Sequence, residues 1–143
     1  MLEKEFYQEV KSRLQKDGFD CVRIESGSTE KGIPDLFVQG NGGDFWVEMK
    51  AENAKVLDTK KEKIKVHYRS GQLAWAMRYA LAHHGKKHTY TLIHCTDSVI
   101  IIDMTRENIA IIEDNFVPIE RCEIISLDCW TSYPLGQRLS HNF

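Results

Sequence analysis

The chain has 143 residues, 42% apolar and 28% charged, a balance that suits one folded domain with a real core and argues against disorder. No apolar run approaches the roughly 20 residues needed to cross a bilayer, the charged, amphipathic start "MLEKEFYQEV" is no signal peptide, and Cys21, Cys95, Cys122 and Cys129 form no CxxC pair, so a cytoplasmic protein with reduced thiols is expected. The net charge of −2 hides a basic middle: residues 50–88 hold 10 Lys/Arg against 3 Asp/Glu, whereas residues 1–49 hold 6 against 10 and residues 89–143 hold 3 against 8, a footprint that suits phosphates, although a charge run taken alone is more often a solvated lysine-rich loop.

Residues 2–17 read as a helix, because Leu2, Phe6, Val10 and Leu14 recur every four residues with Tyr7 beside them and Gly18 supplies a stop. Glu3 falls inside this apolar stripe, whereas Glu5 and Glu9 lie well off it. An acid there can point from the open end of the helix into a site; a terminal Glu that only favours the helix dipole fits equally. "FDCVRI" (19–24) reads as a strand and "ESGSTEKG" (25–32) as a polar, flexible loop. "PDLFV" (34–38) and "FWVEM" (45–49) read as short buried strands, joined into a hairpin by "GNGG".

Residues 51–69 show no clean period and many lysines, and read as a long loop or arm with a short strand at "IKVHY" (64–68). "SGQLAWAMRYALAHHG" reads as a second helix, with Ser70 as N-cap, Gly85 as stop, Leu73, Met77, Ala80 and Leu81 on one face, and Trp75 at its flank. "TYTLIHC" (89–95) and "SVIIID" (98–103) read as strands, and "NIAIIE" (108–113) as a third. The tail from Asp114 has no clear period, although Trp130, Tyr133 and Phe143 suggest that it packs. The order predicts an α/β fold with a central mixed sheet flanked by helices. It is expected to be a single domain over 1–143, with a core of about 1–113, a basic insertion at about 51–71 and a tail, 114–143, without an assigned role.

Three charged side chains, Asp35, Glu48 and Lys50, stand in the two apolar runs of the hairpin. Ionised groups cost several kcal/mol to bury unless they are paired or bind a metal. Along the second strand Trp46, Glu48 and Lys50 share one face, and Phe45, Val47 and Met49 the other. Folding about "GNGG" pairs the start of the first strand with the end of the second, which brings Asp35 near Glu48 and Lys50. Two adjacent carboxylates repel, and a hard divalent cation, Mg²⁺ or Mn²⁺, relieves this. A lysine on the same face can orient an attacking water or stabilise developing negative charge. A Pro-Asp alone is commonplace in turns, and a Glu-x-Lys alone is common on exposed strands. Their co-occurrence across one apolar hairpin points to metal-assisted phosphodiester hydrolysis.

"GIPD", a turn, then "VEMK" resembles the PD-(D/E)xK nuclease superfamily, and the order of elements is similar to its VRR-NUC branch. There a leading helix with an early Glu precedes the two motif strands and a helix opening with Gln. The resemblance spans residues 1 to about 95. It implies that Asp35, Glu48 and the backbone carbonyl of Met49 bind Mg²⁺ or Mn²⁺, with Glu3 adding a carboxylate. It further implies that Lys50 positions the nucleophilic water and that Gln72 contacts the site or the DNA. Small stand-alone members of the branch, bacterial and viral, are homodimeric deoxyribonucleases, several of which cut four-way junctions, and archaeal junction resolvases share the core.

In compact members few residues separate the Glu-x-Lys strand from the Gln helix, but here Ala51 to Gly71 intervenes. This insertion carries Lys55, Lys60, Lys61, Lys63, Lys65, His67 and Arg69, and is expected to be an arm that grips DNA phosphates. The reading is therefore a metal-dependent, structure-selective endonuclease for branched DNA. The alternatives are a nonspecific or restriction-like nuclease, and an idle DNA-binding module that keeps the fold. Two lesser signals are expected to be structural: Gly85 separates His84 from His88 and removes a shared helical face for zinc, and Trp75 packs rather than stacking on a base.

Overall fold

The computed structural model describes residues 1–24, 32–40 and 42–140. The loop expected at 25–32 falls outside them apart from Gly32, as do Asn41 of the hairpin turn and Phe143. Helix α1 (Glu3–Lys16) leads into strands β1 (Asp20–Arg23), β2 (Leu36–Gly40) and β3 (Gly43–Ala51). Strand β4 (Lys63–Lys65), helix α2 (Gln72–Ala82), strands β5 (His88–His94) and β6 (Ser98–Asp103) and helix α3 (Arg106–Ala110) follow. Strand β7 (Phe116–Pro118), a 3₁₀ turn, strand β8 (Glu123–Ser126) and helices α4 (Leu127–Trp130) and α5 (Leu135–Ser140) complete the chain.

The central sheet has the order β1-β2-β3-β5-β6-β8 and is mixed, since β3 and β5 run parallel while the other neighbours run antiparallel. The α/β class read from the sequence is the observed one. Strand alternation divides the core in two. Phe45, Val47, Met49, Tyr90, Leu92, Val99 and Ile101 point towards α1, α4 and α5, where Phe6, Val10, Leu14, Trp130, Leu135 and Leu139 meet them. Ile93, Cys95, Ile100 and Ile102 point the other way, towards Ala76, Ile109 and the insertion's Val56, Ile64, Val66 and Tyr68.

Four local expectations change. Ser70 is not the cap of α2: Gly71 takes that place with φ 90° and no side-chain cap bond. On the apolar face of α2, Leu73 and Met77 pack beside the buried Ala76 as expected of that face, but Leu81 is exposed. "NIAIIE" is not a strand, because Thr105 accepts a hydrogen bond from the Asn108 amide and so starts α3 instead. The lysine-rich segment is no loose arm. Its Lys63–Lys65 pairs with β7, and Asp97 accepts bonds from the amides of Val56 and Leu57.

The tail is built into the fold. Its β8 forms an outer strand of the sheet, and Trp130, Leu135 and Leu139 are almost wholly buried. All four cysteines are free. Among the described residues no helix is long and apolar enough to cross a membrane.

Candidate active site

The two motif strands meet in the predicted register. Gly40 faces Gly43 at the turn, and Leu36 faces Val47 near the open end. Asp35, one residue before β2, therefore reaches the end of β3, where its Oδ2 accepts a hydrogen bond from the Met49 amide at 3.0 Å. Met49 itself is turned into the apolar core, while Glu48 and Lys50 emerge on the α2 side, only 7% and 3% exposed.

Glu48 and Lys50 contact each other, Nζ to Oε2, at 3.4 Å. Lys50 Nζ also donates to Gln72 Oε1 at 2.8 Å, and the same oxygen accepts the Arg69 amide at 2.7 Å. Gln72 thus ties Lys50 to the turn that opens α2. Gly32 makes this junction possible. A Cβ on it would lie 2.1 Å from the Gly71 carbonyl oxygen, and its φ is +88°, so only glycine lets the chain before Pro34 abut the start of α2. The insertion that separates Lys50 from Gln72 in sequence does not separate them in space.

Burial pushes the Glu48 carboxyl up to about 8, the negative charge of Asp35 adds to that, and the Lys50 ammonium works against it. Its Oε1 is buried with no hydrogen-bond partner. Among the described residues no three His, Cys, Asp or Glu side chains converge as a metal cage. The oxygen donors at hand are Asp35, Glu48 and the Met49 carbonyl, a hard set, and the unpaired Oε1 together with the raised Glu48 fits a hard divalent cation.

Glu3, at the start of α1, lines an open cleft of about 360 Å³ with Asp35, Met49 and Arg69. Glu9 is engaged elsewhere, accepting a hydrogen bond from Trp130 Nε1 and lying 3.9 Å from Arg13. Of these two helix acids, Glu3 is the one at the cleft. Arg23, unremarked in the sequence, also lines it. No sequence pattern marks it, because its place comes from the sheet register, in which it pairs with Leu36, next to Asp35.

The insertion's cations divide. Lys55, Lys61, Lys63 and Lys65 line a second groove of about 360 Å³ with Phe116, whereas Arg69 lines the cleft beside Asp35 and Lys60 lines neither. Lys63 and Lys65 each lie 5.5 Å from the Phe116 ring centroid. The groove opens at Glu52, two residues and about 7 Å of strand beyond Lys50. Trp75 packs, stacked on Tyr79 and edge-on to Trp46. His84 lies beyond the end of α2 with φ 52°, off any face shared with His88.

Residues 3–113 match the family model of the archaeal Holliday junction resolvases (Hjc). The chain is also similar to the solved structure of Archaeoglobus fulgidus Hjc, a Holliday junction resolvase from an archaeal hyperthermophile, with TM-score 0.53 and 12% identity over 95% of this chain and 98% of that one. At that identity the likeness shows the fold. No curated protein sequence matches the chain.

Proposed function

The chain belongs to the archaeal Holliday junction resolvase (Hjc) family, and we propose that it is a divalent-metal-dependent endonuclease that hydrolyses phosphodiester bonds in branched DNA. The observation that carries this reading is the buried Glu48–Lys50 face of β3, flanked by Asp35 and fixed by Gln72. A pure binding module has no need of two ionisable groups in so enclosed a place.

Asp35, Glu48 and the Met49 carbonyl would hold the cation, with Glu3 contributing from the rim of the cleft. Mg²⁺ or Mn²⁺ bound there supplies a Lewis acid that acidifies water and neutralises phosphoryl charge. Lys50 orients the attacking water and donates to negative charge as it develops. Gln72 is a positioning residue, because one of its oxygens holds both the Lys50 ammonium and the Arg69 amide. Arg69 steers the phosphate into the cleft, while Lys55, Lys61, Lys63 and Lys65 hold phosphates further along the strand and Lys60 adds long-range attraction.

A homodimer suits the two-fold symmetry of a junction. The described surface that supports one is a row of half-buried aromatic side chains: Phe37, Trp46, Trp75, Tyr79 and His83, each 4.2–5.3 Å from the next. The largest apolar groups of the tail, Trp130, Leu135 and Leu139, face inward instead. Tyr79→Arg should therefore give a folded monomer by sedimentation, and a dimer that persists would move the interface elsewhere.

The deciding experiment is cleavage of matched four-way junction, flap, linear duplex and single-stranded DNA in Mg²⁺, Mn²⁺ or EDTA, beside Glu48→Gln. Metal-dependent cuts confined to branched DNA and lost in the variant are expected. Equal cutting of linear duplex would leave a nonspecific nuclease, and tight binding without any cutting would leave an idle module.

A further inference from the structure

Two buried oxygens at the candidate active site lack a hydrogen-bond partner: Glu48 Oε1 and the hydroxyl of Tyr7. The first fits the cation already discussed. The second needs its own explanation, because the large majority of buried polar side-chain groups are paired and an unpaired one keeps its full desolvation penalty.

Tyr7 sits one helical turn after Glu3 on α1 and is 7% exposed. Its ring packs in the same cluster as Phe6, Val10 and Leu14, work that a phenylalanine would do without the orphaned oxygen. It also lines the cleft that holds Asp35, beneath a rim carrying Lys4, Arg23 and Arg69. The Arg23 guanidinium lies over the ring, 5.2 Å from its centroid. Burial holds the phenol above its usual value, Arg23 pulls it down and Asp35 pushes it up. Tyr7 is thus a neutral donor, and the nearby Asp35 Oδ2 already accepts the Met49 amide.

We propose that Tyr7 is a substrate contact: its hydroxyl donates a hydrogen bond to a non-bridging oxygen of the DNA phosphate that enters the cleft between Arg23 and Asp35. The inference rests on the nuclease reading above. A phosphate that draws the Arg23 guanidinium to itself uncovers the phenol and provides the acceptor it lacks. The bond strengthens as charge gathers on the phosphoryl group, so it appears in the rate more than in affinity.

Tyr7→Phe tests this, because it removes one oxygen and keeps the packing. The readouts are the saturated single-turnover cleavage rate of a four-way junction in Mg²⁺, the junction Kd in EDTA and the Tm. The expected result is a rate about ten- to a hundredfold lower, a Kd within about twofold, and a Tm unchanged or raised. Sulfur in place of a non-bridging oxygen at the cleaved phosphate should slow the wild-type protein more than Tyr7→Phe, since the variant has already lost the bond. A wild-type rate in Tyr7→Phe, or an equal sulfur effect in both proteins, would overturn the inference alone. Failure of the wild-type protein to cut any DNA would overturn the nuclease reading and this contact with it.

Discussion

The motif hairpin and the basic insertion are neighbours in the chain, yet they are ordered by opposite means. Strands β2 and β3 are fixed by ladders to each other, to β1 and to β5. From Glu52 to Gly71 only Lys63–Lys65 joins a ladder, and the remaining order comes from side chains and carbonyls of distant segments together with local bonds such as those from the Ala54 and His67 amides to Glu52. Asp97 holds the amides of Val56 and Leu57, the Asn115 carbonyl accepts Val66, and the Tyr68 hydroxyl donates to Thr91. The charges differ accordingly. The hairpin buries a few at fixed positions, which hydrolysis at one phosphorus atom requires. The insertion displays many on flexible stems, which is enough to attract a backbone of repeating phosphates.

The sharpest way to break this comparison is Asp35→Asn. Asparagine can still accept the Met49 amide, so the fold should hold, but the site loses the Asp35 carboxylate. Cleavage should fall by about a thousandfold or more while junction Kd in EDTA changes little. A rate within tenfold of wild type would remove the hairpin from the chemistry.

Next comes the pH dependence of the metal-free protein. Folding raises Glu48 from the ordinary 4.5 to about 8, so the folded state binds the extra proton. That contribution to stability is fully present below pH 4.5 and is lost as pH rises through 8. The difference should be on the order of a few kcal/mol, reduced by the Lys50 partner. In EDTA the Tm should therefore fall between pH 5 and 8, and Glu48→Gln should flatten the profile. Added Mg²⁺ should restore stability most at the alkaline end, and a profile that ignores both changes would count against the buried pair.

The hairpin was legible because its information is local: alternation along β3 and the turn at 40–43 place Asp35, Glu48 and Lys50 without further knowledge. Gln72 was legible only through the family pattern, since what returns it to Lys50 is the contact of Gly32 with Gly71. The insertion looked like a loose arm because its order is written elsewhere, in Asp97, Phe116 and Asn115. The tail was opaque for the same reason. Trp130 and Leu139 find their partners more than a hundred residues away on α1, and no periodicity within 114–143 announces this.

A smaller effect is expected from replacing Lys60, Lys61, Lys63 and Lys65 together with Ala. Junction affinity at moderate salt should fall about tenfold or more, and the slope of log affinity against log salt should flatten by up to about 3. The saturated cleavage rate should stay near wild type, because none of the four lines the cleft that holds Asp35. An unchanged affinity and slope would make the basic middle a solvated surface.

The smallest effect separates the insertion's shape from its charge. Burial works to raise the Asp97 carboxyl, but the Val56 amide, the Ser98 hydroxyl and the Leu57 amide outweigh it and hold the group below its usual value. Its stabilisation is therefore present above the ordinary aspartate range and is lost as pH falls through the lower folded value. Asp97→Ala keeps every lysine and removes the clasp, which should cost about 1 kcal/mol after allowance for its solvent exposure. Hydrogen exchange at Val56 and Leu57 should quicken, and junction affinity should fall a few fold. Acid alone should speed those amides relative to their intrinsic rates, and Asp97→Ala should be insensitive to it. The saturated rate is the decisive readout. If it survives, the hairpin carries the chemistry independently of its neighbour. If it collapses, the coupling through Tyr68, Arg69 and Gln72 makes the insertion part of the active site, and the two regions are one machine.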